Sequence, residues 1–229
     1  AGTAQAPAAW ARWCWFVAPW RQDWAGLQTS LAMPMATAQA AGQHGVAAHF
    51  GTLRVLLGLA QGQDLSAVEA DFSTLQTYCR PYALDLHLAI LQVPMRVVTA
   101  LRSPVAEDYS LDEACLDLEP YRASYAQHPL CLAMAALARV MLHGHAGRYL
   151  ALLQAAASPD LAQLPALALA QELIFWRGLA SAQLLLMQDA APSVPLGLPA
   201  TTATTWEPLL TQAITALSRV VNEAQASNA

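Results

Sequence analysis

The chain has 229 residues, of which 56% are hydrophobic and only 12% charged, with a net charge of −5. Its eleven basic residues are all arginine, which excludes the lysine of a Walker-A loop or a Schiff base and leaves no basic stripe for nucleic acid. No apolar run reaches the ~18–20 residues of a membrane span, because the best candidate, Leu173 to Met187, is too short and carries Arg177.

Residues 1–9 are small and polar enough to be a disordered lead-in, so order is expected from Trp10. Trp10, Trp13, Trp15, Phe16, Trp20 and Trp24 then crowd together, broken by Pro19. An aromatic cage would need a cationic or planar ligand. The adopted reading is a helix end and loop packed on the first helices. A helix from about Trp24 to Ala41 follows, with Leu27, Leu31, Ala38 and Ala41 on one face, a kink at Pro34 and a stop at Gly42.

Val46 to Arg80 reads as two helices around the turn Gln61-Gly62-Gln63-Asp64. In the second, Leu65, Val68, Phe72, Leu75 and Cys79 recur at helical spacing on one side. Gly62 suits a left-handed cap for the first helix, and Asp64 suits the N-cap of the second. Tyr82 to Arg102 is a further apolar helix, interrupted by Pro94. Such short links make successive helices antiparallel neighbours.

Ser110 and Glu113 form a capping box for a helix running to about Tyr125. The carboxylates around it, Glu107, Asp108, Asp112, Glu113, Asp117 and Glu119, lack the spacing and central glycine of a calcium loop and read as an acidic helix start. Pro129 opens the next helix, with Leu130, Met134, Leu137 and Met141 as its stripe. His143-Gly144-His145 reads as its C-terminus rather than a metal site, since no third ligand stands at fixed spacing. A short helix spans Gly147 to Ala157, and Ser158-Pro159 opens a long run from Asp160 to Met187, kinked near Pro165.

Residues 190–204 carry Pro192, Pro195 and Pro199 and read as a linker loop. Residues 205–229 form a last helix, capped by Thr204 and Glu207, with Leu210, Ile214, Leu217 and Val221 on one side. The scattered Cys14, Cys79, Cys115 and Cys131 include no C-x-x-C pair and read as reduced core residues. No strand-like alternation persists. The chain is expected to be all-α, with residues 10–189 stacked as antiparallel helical hairpins in a degenerate tetratricopeptide-like array or, alternatively, an irregular bundle.

Several landmarks, taken in order, resemble the helical region of large bacterial multidomain signalling proteins. They are Phe16-Val17-Ala18-Pro19-Trp20, Ala40 to Ala47 with Gly42, Gly62-Gln63-Asp64-Leu65, Leu142 to Ala151 with Gly147, and Glu172 to Leu179 with Trp176. The resemblance runs from about Trp15 to Asn222, departing at Gln43, where that family often has an acidic residue. In those proteins a serine/threonine kinase-like domain and a STAND-type predicted ATPase precede the helices, and GAF and histidine-kinase modules often follow. The resemblance implies a cytoplasmic, non-catalytic segment of a longer polypeptide, without cofactor or metal, that contacts other domains of that polypeptide or a protein partner. No catalytic residue carries over. The alternatives are a free-standing helical-repeat adaptor, with Arg54, Arg96 and Arg177 facing a peptide groove, and an all-α metal enzyme, for which the paired-carboxylate motifs are missing.

Overall fold

A computed structural model describes residues 6–18, 23–102, 116, 118–164, 169–190, 211, 214 and 215. All regular structure among them is helical, so the chain is all-α as expected. No described helix is long and apolar enough to cross a membrane.

The first helix, α1 (Ala6–Phe16), begins inside the expected lead-in. Ala11, Cys14, Trp15 and Ala18 are buried at helical spacing, a stripe of mostly small residues hidden among more conspicuous tryptophans. Pro7 is tolerated in the first turn, where its missing N–H has no helical acceptor to lose. The exposed Trp10 stacks at 4.6 Å on Trp13, which packs half-buried against the core. Pro19 and Trp20 lie outside the described residues.

The predicted helix over 24–41 is two helices, α2 (Trp24–Ser30) and α3 (Ala32–Ala40). Asp23 caps α2 by accepting the Gly26 N–H. The break falls at Leu31, one turn before Pro34, because the proline ring collides with the carbonyl four residues back and offers it no N–H. Leu31 donates instead to Gln28, three residues back.

The hairpin of α4 (His44–Ala60) and α5 (Leu65–Cys79) stands where the sequence puts it. Gly62 has φ +66°, and Asp64 accepts from the N–H groups of Ser66 and Ala67. On α5, Val68, Leu75 and Cys79 are buried, while Leu65 and Phe72 pack half-buried against the core. Gln61 and Gln63 donate to Gln28 on α2 at 3.1 and 2.7 Å, so side chains of the turn also hold the preceding helix in place.

The expected start at Tyr82 is displaced, since α6 runs Asp85–Arg102. Pro81 closes a 3-10 turn at Arg80–Tyr82, after which Ala83 takes a left-handed conformation at φ 51°. Pro94 does not interrupt α6; it lies buried within a continuous helix. The short α7 (Leu118–Ser124) follows. The Ser110–Glu113 box and the acidic residues other than Glu119 lie outside the described residues.

Pro129 opens α8 (Pro129–His145), as its spacing predicts. Its C-terminal Gly147, φ +66°, leads into α9 (Tyr149–Ala156). Ser158-Pro159 does not open a long helix, and Ser158 makes no capping bond. Pro159–Gln163 is a 3-10 turn, which buries Leu161 and Leu164 at its period of three. The last long helix, α10, spans Leu169–Ala190, so Ala190 belongs to it rather than to the linker. Pro165 and residues 191–204 lie outside the described residues. Of the last helix only Thr211, Ile214 and Thr215 are described, all helical, with Ile214 exposed.

The core centres on α4 and α8, each buried on nearly every side, as helices apolar all round must be. Helices α1, α2, α3 and α5 pack around α4, while α7, α9 and α10 pack around α8. Helix α6 touches both. Tyr121 pins this junction by donating from its buried hydroxyl to the carbonyls of Ala89 on α6 and Cys131 on α8. Cys14, Cys79 and Cys131 are free and buried. Cys115 lies outside the described residues.

Candidate functional site

Helix α6 has hollows on both sides. Leu86, His87 and Ile90 face one; Leu88, Gln92, Arg96 and Thr99 face the other. At 3.6 residues per turn these sets occupy opposite faces of the helix.

The larger hollow is a cavity of about 640 Å³ between α1, α4, α6 and the start of α8. Its apolar walls include Ala11, Trp15, Val46, Ile90 and Leu130, and its polar groups are Arg12, His49 and His87. The indole N–H of Trp15 donates to the backbone carbonyl of His49 at 3.3 Å, fixing α1 against α4. The His49 Nδ1 lies 2.9 Å from the Gly45 carbonyl. A carbonyl only accepts, so that nitrogen carries a proton.

His87 meets His49 edge-on, with ring centroids 4.5 Å apart. It is only 8% exposed, and its Nδ1 is buried without a hydrogen-bond partner. Burial, reinforced by His49, lowers its pKa to about 4, so the imidazole is neutral at physiological pH. Arg12 projects from an exposed position on α1 and makes no ion pair among the described residues. No cluster of three metal-binding side chains occurs among the described residues.

The second hollow, about 400 Å³, is a groove lined by Phe72, Gln76, Asp85, Gln92, Arg96 and Tyr125. Arg96 donates there to the carbonyl of Leu116 and so ties the approach to α7 onto α6. The three arginines singled out in the sequence have separate placements. Arg54 makes a two-pronged bond to Asp71, at 3.0 and 2.9 Å, between α4 and α5. Arg177 is half-buried on α10, and its carbonyl accepts from Ser181.

A third feature is the outer face of α10. Its inner face buries Trp176, Ala180 and Leu184, and the Trp176 ring lies so close to α8 that a Cβ on Gly144 would stand 2.3 Å from it. Phe175 and Leu186, on the other side, are 47% and 62% exposed. With Leu179, which packs half-buried against the core, and the half-buried Ala182 they fall at i, i+4, i+7 and i+11, a second apolar stripe exposed at its two ends. Burial raises the Glu172 carboxyl to about 7, with the Trp176 indole acting in the opposite direction. Landmarks Gly42, Gly62 and Gly147 are turn residues, while Leu65 and Trp176 are packing residues.

Arg12, His49 and His87 escape a reading by motif because each stands alone on a different helix, with no spacing to connect them. The available signal is a histidine within an apolar helical face, seen at both His49 and His87. Comparison of the chain with protein-family models, with curated proteins and with solved structures gives no match.

Proposed function

We propose that this chain is a non-catalytic helical scaffold, a protein-interaction segment of a cytoplasmic bacterial signal-transduction ATPase or kinase polypeptide. The observation that carries the scaffold reading is the second apolar stripe of α10. A helix apolar on two sides needs a partner on each. One side packs on α8 and α9, and the other fits the next helical hairpin of a tetratricopeptide-like array. The signalling context is supported by the ordered landmarks around Gly42, Gly62, Gly147 and Trp176.

Hydrogen exchange tests this by comparing residues 1–229 with the same segment inside the polypeptide encoded by the whole reading frame. The expected result is added protection over 175–186 in the longer protein. Equal exchange in both forms overturns the scaffold reading, and micromolar ATP binding by residues 1–229 overturns its non-catalytic character. A second reading, a free-standing adaptor gripping a peptide, is favoured by the groove that carries Asp85 and Arg96 on one side of α6.

A further inference from the structure

We propose that the cavity between α1, α4, α6 and α8 is a binding site for a small monocarboxylic acid with an apolar body, its carboxylate held between Arg12 and His87. This goes beyond the scaffold reading and does not depend on it.

Size and lining give the body of the ligand. About 640 Å³ falls within the roughly 300–1,000 Å³ of small-molecule sites, which are mostly apolar with a few placed polar groups. Trp15, Val46, Leu86, Ile90 and Leu130 supply walls that favour a hydrocarbon or aromatic body.

The polar groups give the head. Among the described residues no acidic side chain lines the cavity, so an anion meets no like charge from them. Arg12 is the cation, and its planar guanidinium suits a carboxylate. His87 lines the cavity and is buried with an unpartnered Nδ1, a hydrogen-bonding group whose solvation was lost without replacement. With a small turn of the His87 ring, an oxygen of the ligand restores that bond by accepting from Nδ1–H. His49 is committed to the Gly45 carbonyl through its own Nδ1 and buttresses the His87 ring edge-on. Burial keeps His87 neutral, which leaves Arg12 as the permanent cation among the described lining residues and matches a monoanion rather than a dianion.

Isothermal titration of the full chain with 3-phenylpropionate and octanoate, alongside the uncharged 3-phenylpropanamide and 1-octanol, tests the assignment. The acids are expected to bind at least about tenfold more tightly than the neutral analogues, the order of effect of one charge-assisted contact. Arg12→Met should bring the acids down to the level of the neutral molecules while leaving the latter unchanged. Leu130→Trp should block all four probes by filling the cavity. His87→Phe should weaken the acids selectively; if it fails to fold, the exposed Arg12 position still carries the comparison. Equal affinity for acids and neutral analogues, acid binding unaffected by Arg12→Met, or no binding of any probe overturns the proposal.

Discussion

Among the described residues four helix ends share one hydrogen-bond pattern, and one of them is built from a residue that does not suit it. After Gly42, Gly62 and Gly147 the next N–H reaches back five residues, from Gln43 to Ala38, Gln63 to Gly58 and Arg148 to His143. Leu84 does the same to Cys79, across Ala83 at φ 51°. A Cβ in the left-handed region costs about 1–2 kcal/mol. Ala83→Gly should therefore raise stability by about 1 kcal/mol in urea denaturation, with an unchanged m-value. Gly62→Val should lower it by about 1–2 kcal/mol through backbone strain, since a Cβ at Gly62 meets nothing within 4 Å. Gly144→Ala works differently, by driving a methyl into the Trp176 ring, and should cost about 1–3 kcal/mol in the same assay. Gly62 is legible in the sequence because glycine marks positive φ. Ala83 is not, because alanine between Tyr82 and Leu84 continues a helical pattern; the available signal was Pro81, which cannot extend α5.

At the scale of elements, hydrophobic spacing made α4, α5, α8 and α9 readable almost to their ends. It failed where small residues or a proline intervened. In α1 the buried stripe includes Ala11, Cys14 and Ala18, whose modest hydrophobicity was overshadowed by Trp10 and Trp13. Pro34 and Pro94 look alike in sequence, yet the helix breaks ahead of the first and runs through the second. Their surroundings differ: Pro94 is buried in α6, where tertiary packing accompanies the unbroken helix, whereas Pro34 is half-buried on α3. The candidate cavity was illegible because it joins side chains of α1, α4 and α6, helices that only tertiary packing brings together. For α10 the double variant Phe175→Ser with Leu186→Ser should shift the stability of the isolated chain by no more than about 0.5 kcal/mol, as exposed positions do. It should abolish the added hydrogen-exchange protection of 175–186 in the longer polypeptide.

For the molecule as a whole, the buried His87 and the half-buried Glu172 set opposing pH dependences. His87 has its pKa lowered from 6.5 to about 4, so its contribution is present above 6.5 and lost as pH falls through 4. Glu172 has its pKa raised from 4.5 to about 7, so its contribution is present below 4.5 and lost as pH rises through 7. Between pH 4.5 and 6.5 these slopes have opposite sign and about the same size, one proton each. Relative to the parent chain, His87→Phe should make stability fall more steeply with rising pH over this window, and Glu172→Gln should make it rise. Denaturation midpoints measured in steps across the window check both signs.

The position of α6 against both α4 and α8, pinned by Tyr121, bears on how the chain comes apart. Two clusters that share a helix have no seam along which one can melt and leave the other intact, because losing either strips one face of α6 and exposes its apolar residues to water. The chain should behave as one cooperative unit. Trp15 reports on the surroundings of α4 and Trp176 on those of α8, so variants retaining one or the other as the dominant fluorophore should give coincident unfolding curves. Tyr121→Phe, which removes the pin while keeping the ring, is the substitution expected to pull those curves apart.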